Sequence, residues 1–478
     1  MRILWLTVLL TLAGAPAWAA DWPQLACTPQ RTGRSPENLA MPAERKMTLL
    51  WHKGFWPDRV HNAVQAIVVG GRLYIGSKDG TVWRMDAKNR TEKWAAKGLG
   101  CINNTLACVS GTVIVPSLDG VHGLDAQTGQ KKWSVDGPGG FTTAPLVAEE
   151  KVFIGSRLGT MYCLNPTDGK AAWTADTGSY ILQSAAYDQG RIFFATEDLR
   201  MRCLNARNGQ EVWKAGPFRS QSFVHFHPVV HQGHVIFRGM ATQPGLAEQD
   251  WAVYPFCSPY DAEGDKARAM IPGLMEALAK GQPLPAECDA AGEKIVELMK
   301  KEPWRQDLWI LDAKTGTEAF MAPHFPCFGS LGLGDPLSPP AVDRDGRLVI
   351  HVQFTGNTFG RLDLKTRKVA DVLFMPLDSQ GKPPGSQGNG DEFRSISTAG
   401  DLVFMVHAGE HEGAVAMRSG VFDLRSRTWL RKDGPINFPD GSGSWFEHQG
   451  AAASVAEGRF YHVSYDQIQC IGSFPTSQ

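Results

Sequence analysis

No charge of either sign dominates this chain of 478 residues, which carries 48 Lys and Arg against 49 Asp and Glu. The formal net charge of -1 gives no overall field that would attract nucleic acid or an anionic membrane surface. Beyond the N-terminal leader, no run approaches the roughly twenty uninterrupted apolar residues of a membrane-spanning helix. We therefore expect no nucleic-acid partner and no transmembrane segment.

Cysteine motifs typical of bound redox groups are also missing, because the nine Cys include no C-x-x-C-H sequence that would attach haem. Cys163, Cys203 and Cys470 recur at one position of a repeat, which favours small buried side chains. An oxidising compartment would permit disulfides. The sequence leaves the pairing open, and the neighbours that a bridge could join are Cys101 with Cys108 and Cys257 with Cys288.

The N-terminus has the features of an export signal. Arg2 precedes an apolar run from Ile3 to Ala13, and Ala17-Trp18-Ala19 supplies a small-x-small cleavage site. The sequence thus predicts a signal peptide at residues 1–19, cleaved near Ala19, and a mature chain of residues 20–478. We expect this mature chain to be periplasmic or secreted.

A strand pattern of about forty residues returns eight times, and this repeat predicts the fold. Each clear copy holds four short strands separated by turns, which is the pattern of a propeller blade. In four copies an Asp or Asn is followed eight residues later by Trp, at Asp86 and Trp94, Asp125 and Trp133, Asn165 and Trp173, and Asn205 and Trp213. The sequence predicts an all-β, eight-bladed β-propeller of four-stranded antiparallel blades.

The two ends of the chain complete one blade in this prediction. The eighth copy stops after its third strand at Ile468–Ile471, whereas Thr48–Trp51 reads as a fourth strand placed before the first blade. Pairing these N-terminal and C-terminal strands would close the ring and remove two free sheet edges.

The segment Ala-x-x-Thr-Gly-x-x-x-Trp resembles the tryptophan-docking motif of the pyrroloquinoline-quinone (PQQ)-type propeller repeat. Quinoprotein dehydrogenases and outer-membrane assembly lipoproteins of the BamB kind share this fold. Blade 5 keeps the motif with Phe320 in place of Trp, and blades 6 and 7 keep only the turn, at Asp363 and Asp423. The resemblance implies that the Trp residues are structural wedges between blades and are not part of a site.

Ligand binding is expected where the loops that lead into the first strands converge around the axis. We call them the lead-in loops and their side of the ring the mouth face. Their polar residues are the ligand-binding candidates, namely His61, Asn62, Asn104, Gln183, His225, His227, Asp335, Arg394 and His448.

His225 and His227 form the one candidate metal pair. Alternate residues of an extended strand point the same way, so both imidazoles could meet one ion or one anionic ligand. The alternative is that a polar strand start beside a watery channel tolerates His without using it.

One insertion, residues 241–305 in blade 5, interrupts the period on the mouth face. The spacing of Leu and Met predicts helices at Asp265–Lys280 and Ala290–Lys301. This partly helical insertion could be a lid over the axis or a docking surface for a partner.

Three functions remain open, and we favour the first: a binding or scaffolding module of the cell envelope, a monomer with an envelope protein or a small molecule as partner. The resemblance also implies a PQQ-dependent dehydrogenase with Ca²⁺, but the adjacent cysteines of that group are missing. Its calcium ligands would have to come from residues such as Asn104, Asp335 and Glu392. The third is a metal-dependent enzyme at the mouth. Motifs do not support PQQ with calcium, and the cofactor stays unknown.

Overall fold

The computed structural model describes most of the repeat region. The described residues are 21–43, 48–224, 227–239, 280–283, 292–293, 296–297, 299–323, 339–351, 358–374, 392–411, 414–417, 420–431, 453–463 and 467–476. None of the helical residues among them belongs to a helix long and apolar enough to cross a membrane.

Blades 1 to 4 are four-stranded antiparallel sheets in which each strand pairs with the next along the chain. Turns rich in glycine and in Asp or Asn separate the strands, as the alternating pattern predicts. In chain order the strands are Ile67–Val69, Arg72–Gly76, Val82–Asp86 and Glu92–Ala96 in blade 1; Ala107–Val109, Thr112–Ser117, Gly120–Asp125 and Lys131–Val135 in blade 2; Leu146–Ala148, Lys151–Gly155, Thr160–Leu164 and Ala171–Asp176 in blade 3; and Ala186–Asp188, Arg191–Thr196, Arg200–Asn205 and Glu211–Ala215 in blade 4.

Blades 5 to 7 follow the same plan with departures. Blade 5 has three strands, and its fourth is reduced to one bridge between Leu311 and Glu318. Blade 7 gains Arg34–Ser35 beside its first strand and Ala414–Met417 beside its second. The strands are Val229–His231, His234–Arg238 and Leu308–Asp312 in blade 5; Ala341–Val342, Leu348–His351, Thr358–Asp363 and Lys368–Phe374 in blade 6; and Glu392–Ala399, Leu402–His411, Gly420–Asp423 and Thr428–Arg431 in blade 7.

Blade 8 joins the two ends of the chain, which confirms the predicted closure. Its strands Ser454–Ala456, Arg459–Val463 and Gln467–Gly472 are completed by Thr48–Gly54. The pairing is antiparallel and sets Trp51 opposite Cys470. Trp51 then donates its indole N–H to the carbonyl of Ala87 in blade 1 at 3.1 Å. The eight-bladed propeller is therefore a closed ring.

Helical backbone is described at 292–293, 296–297 and 299–301, within the second helix predicted for the insertion. A short 3₁₀ turn, Pro303–Arg305, follows before the third strand of blade 5. The first predicted helix lies outside the described residues except for its last residue, Lys280, which is in a turn. Most of 241–305 is likewise outside them, so a lid role stays a prediction.

Each repeat Trp packs on a turn glycine of the following blade. Trp173 donates its Nε1–H to the carbonyl of Ala206 at 3.0 Å. A Cβ on Gly209 would lie 2.6 Å from Cε3 of Trp173, so only glycine allows the ring to approach this turn. The same packing joins successive blades through the pairs Trp94–Gly129, Trp133–Gly169 and Trp213–Gly316.

Where the motif decays, charged residues replace the Trp–Gly contact. Asp371 of blade 6 lies in the strand register of the docking Trp, and Arg427 of blade 7 has the turn position of the docking Gly. Arg427 binds Asp371 through both Nη atoms at 2.6 and 2.8 Å, and the two side chains are 7% and 6% exposed. Between blades 5 and 6, the guanidinium of Arg367 lies 5.4 Å from the ring centroid of Phe320.

The three cysteines that recur in the repeat, Cys163, Cys203 and Cys470, are buried free thiols, as their position predicted. Cys101 and Cys108 are also free, so a bridge between them is not formed. Cys257 and Cys288 lie outside the described residues.

Candidate functional site

The N-terminal segment, residues 21–43, fills the axis of the ring by following the first strands from blade to blade. Trp22 pairs with Val68 of blade 1 through two backbone hydrogen bonds of 2.7 and 3.0 Å. The side-chain amide of Gln24 bonds both the N–H and the carbonyl of Val147 in blade 3, in the manner of a strand. Further backbone amides donate to the segment in blades 2, 4, 5, 6 and 7, from Cys108, Tyr187, Val230, Val342 and Thr398.

The segment covers the face opposite the mouth. Asp21 accepts a hydrogen bond from Gly70 in the turn between the first and second strands of blade 1. Glu37 accepts one from Gly458 in the equivalent turn of blade 8. Those turns lie at the far ends of the first strands from the lead-in loops. The mouth face is therefore the side from which a ligand would approach the axis.

Arg31 anchors the segment between blades 3 and 4 and is 0% exposed. Its guanidinium donates to the carbonyls of Leu25, Pro145 and Ala185 at 2.7, 3.0 and 2.9 Å. Because burial penalises the charged form, the pKa of Arg31 falls to about 9. Carbonyl oxygens thus hold this cation where the N-terminal segment, which we call the axial plug, meets the blades.

His227, the described member of the predicted metal pair, lies just before the first strand of blade 5 and is 9% exposed. Burial, with a further contribution from the positive charge of Arg31, lowers the pKa of His227 to about 3. The imidazole is therefore neutral at pH 7, which is the form that binds a metal ion or accepts a hydrogen bond. His225 lies outside the described residues, so its distance from His227 is untested.

Asn104 and Gln183 are buried and bonded to backbone. Asn104 donates from Nδ2 to the carbonyl of Thr142 at 2.9 Å, and its Oδ1 accepts the N–H of Thr105 at 2.8 Å. Gln183 accepts the N–H of Ala195 at 2.7 Å. The Asn104 contact joins blades 2 and 3, and the Gln183 contact lies within blade 4. Both side-chain amides therefore stabilise the ring.

The remaining candidates are two residues of the blade 1 lead-in loop and three whose side chains are not described. His61 accepts the N–H of Ala63 through Nδ1 at 3.1 Å, and Asn62 beside it is half-buried in the lead-in loop of blade 1. Arg394 falls within the first strand of blade 7, Glu392–Ala399, but its side chain is not among those described. Asp335 and His448 lie outside the described residues.

Hydroxyl side chains in or next to the lead-in loops hold adjacent blades together. Thr105 donates to the carbonyl of Ala63 across the junction of blades 1 and 2 at 3.1 Å. Ser184 accepts the N–H of Ala144 between blades 3 and 4 at 2.8 Å, and Ser397 donates to a carbonyl of blade 8. Thr105 and Ser184 share one position of the repeat, whereas Ser397 lies two positions further on, within the first strand of blade 7, so no single repeat position reveals all three.

The described residues do not assemble a calcium or transition-metal site. No group of three His, Cys, Asp or Glu within the described ranges is placed to hold an ion. Of the oxygen donors considered for calcium, Asn104 is bonded to backbone through both polar atoms. The side chains of Asp335 and Glu392 are not described.

The ring and its plugged axis define an eight-bladed β-propeller closed by its own termini. The family model described as "Outer membrane protein assembly factor BamB" matches residues 14–136 and 119–237. This match and the fold support the PQQ-type propeller family that the repeat motif indicates.

Two kinds of known protein resemble the chain. The quinohemoprotein alcohol dehydrogenase ADH-IIG of Pseudomonas putida is 30% identical over 194 residues, which is 33% of this chain and only 27% of that enzyme. Its solved structure, from strain HK5, has a TM-score of 0.57 at 14% identity, covering 96% of this chain and 81% of that one. BamB from Moraxella catarrhalis has a TM-score of 0.53 at 13% identity, covering 89% and 99%. At these identities the structures show the fold alone.

Proposed function

We propose that the protein is an exported binding or scaffolding propeller of the cell envelope. The observation that carries this proposal is the axial plug, residues 21–43. It hydrogen-bonds the first strands and buries Trp22, Gln24 and Arg31. A ring whose axis is filled by its own chain presents its loops for binding, so we place recognition on the mouth face.

Localisation in the envelope rests on two supports. The predicted leader at residues 1–19 would export the chain, and the matching family model is that of an outer-membrane assembly factor. We expect a periplasmic or envelope-associated protein that is itself a monomer.

The experiment is cross-linking in intact cells of the native host, followed by native sizing of the tagged chain extracted from the envelope. We expect a discrete complex heavier than the 52.2 kDa chain. A variant that starts at residue 20 and stays in the cytoplasm is the matched control and should remain monomeric. A wild-type chain that is monomeric in the envelope would contradict the proposal.

A PQQ-dependent oxidation is the second candidate, favoured by the 30% identity to a quinohemoprotein alcohol dehydrogenase over 194 residues. Purified protein incubated with PQQ and Ca²⁺ would then gain quinone absorbance and dye-linked alcohol oxidation. We expect neither. Turnover that depends on added PQQ would replace the binding proposal with this one.

For His225 and His227 we propose a site that binds a metal ion or a small anion at the mouth face. Because His227 is neutral and buried, it is available as a ligand if His225 faces it. Metal content should fall in a His225→Ala/His227→Ala variant and persist in His231→Ala, whose imidazole bonds the carbonyl of Gly346. Equal metal content in the three proteins would remove this site.

A further inference from the structure

Three exposed apolar side chains lie in neighbouring loops on the mouth face of blades 2 to 4. Leu118 and Leu158 occupy the loops between the second and third strands of blades 2 and 3, and they are 38% and 52% exposed. Tyr180, in the lead-in loop of blade 4, is 56% exposed. Single exposed hydrophobic residues are ordinary, but a contiguous group bordered by polar residues is typical of an interaction site.

Backbone contacts make the group continuous. The N–H of Leu158 donates to the carbonyl of Pro138 at 3.1 Å, in the lead-in loop of blade 3. In that loop a Cβ on Gly140 would lie 2.3 Å from the carbonyl oxygen of Leu118. Gly159, next to Leu158, accepts the N–H of Thr177 at 2.9 Å, and a Cβ on Gly159 would lie 2.4 Å from the carbonyl oxygen of Ser179, next to Tyr180. Because these loops are already fixed on each other, a partner would not have to order them.

Carboxylates surround the apolar group. Asp119, Asp136 and Asp176 are exposed, while Arg157 is the one exposed cation of the same loops. Asp119 and Asp136 lie close to each other, because a Cβ on Gly120, the residue after Asp119, would lie 3.5 Å from Oδ1 of Asp136. The three carboxylates and Arg157 take part in none of the ion pairs formed among the described residues. The charges are therefore available to a partner.

From this geometry we propose that the rim patch binds a protein segment presenting apolar side chains beside Lys or Arg. The rim patch consists of Leu118, Asp119, Asp136, Arg157, Leu158, Asp176 and Tyr180. An apolar centre with a charged rim is the usual anatomy of an interface, and the excess of carboxylates selects a basic partner. A second copy of this chain would bring like charges together, which disfavours self-association here. The inference rests on the proposed binding function and assigns it a surface.

The test uses the full chain and two labelled peptides, one alternating Leu with Lys and the other alternating Leu with Glu. Fluorescence polarisation should show binding of the Lys peptide that weakens with salt, and little binding of the Glu peptide. A Leu118→Ser/Leu158→Ser/Tyr180→Ser variant should lose about tenfold or more in affinity for the Lys peptide. The matched control is Leu50→Ser/Val212→Ser, which changes residues 40% and 45% exposed on outer strands and should bind like wild type.

Equal affinity of the patch and control variants, or equal binding of the two peptides, would overturn the assignment. The native complex separates this failure from failure of the proposed function. An envelope complex that persists in the triple Ser variant contradicts the rim patch and leaves the binding function standing. A wild-type chain that forms no complex contradicts the binding function itself.

Discussion

Replacing Asp371 by Trp and Arg427 by Gly should rebuild, between blades 6 and 7, the contact that joins blades 1 to 5. Each change alone should destabilise the ring. Asp371→Trp leaves the guanidinium of Arg427, 7% exposed, without its bidentate carboxylate. Arg427→Gly removes both of these bonds from Asp371, which keeps the bond from Nη1 of Arg361 at 3.1 Å. The double variant replaces both charges by an aromatic ring on a glycine turn.

The magnitudes follow from the burial of the pair. Removing one partner of a buried ion pair costs about 3–5 kcal/mol, so Asp371→Trp should cost about 3 kcal/mol. Arg427→Gly should cost about 2 kcal/mol, because Arg361 still binds the carboxylate. We expect the double variant to lie within about 1 kcal/mol of wild type, since a buried pair can often be exchanged for apolar packing. The single costs sum to about 5 kcal/mol, so the cycle predicts a coupling free energy of about 4–6 kcal/mol.

The assay is urea unfolding followed by tryptophan fluorescence for wild type, both single variants and the double variant. Lys170→Ala is the control, because it breaks an ion pair whose lysine is 84% exposed and should leave the midpoint unchanged. A coupling free energy below about 0.5 kcal/mol would mean that the two positions do not fasten the blades together. The equivalence between Asp371–Arg427 and the Trp–Gly contact would then be wrong.

Three further predictions test other contacts by urea unfolding. Gly209→Ala should lower the free energy of unfolding by about 2 kcal/mol more than Gly190→Ala. Both glycines have positive φ (74° and 76°), but only a Cβ at 209 would meet Trp173. Equal losses would contradict the docking role. Burial lowers the pKa of His462 to about 4. As the pH drops from 6.5 towards 4, the imidazole is therefore protonated in the unfolded chain before it is protonated in the folded protein. The free energy of unfolding should fall over this range by up to about 3 kcal/mol. His462→Phe, the residue type at this register in blades 4 and 5, should flatten that dependence, and an unchanged pH profile would refute the assignment. Arg31→Met should cost about 2 kcal/mol or more, because buried carbonyls lose their donor, and a neutral result would deny Arg31 its anchoring role.

The architecture was predictable because it repeats. Turn residues and alternating strands recur at a fixed period, and the missing fourth strand of blade 8 could be matched to Thr48–Gly54. The Asp371–Arg427 junction was not predictable from the motif. At this junction the Asp that begins each turn is kept, but Asp371 and Arg427 stand where the motif has its Trp and its Gly. The two residues by which the motif is recognised are therefore missing.

The plug could not be predicted from its own sequence. Residues 21–43 have no strand periodicity, because they bond to a different blade every few residues and partly through side chains such as Gln24. The lead-in loops were correctly recognised as polar. Their polarity has a structural use at Asn104 and Gln183, since the ends of the first strands need hydrogen-bond partners where blades meet. Exposure of the rim patch depends on packing between loops, which the repeat does not encode.

Hydrogen exchange tests most directly whether residues 21–43 fill the axis and so leave binding to the mouth face. The amides of Cys108, Tyr187, Val230, Val342 and Thr398 donate to this segment from five different blades. If the plug is in place, all five should exchange as slowly as amides paired between strands within a blade. Exchange of these amides at the rate of exposed turns, with the strands still protected, would show an open axis and contradict the plugged ring.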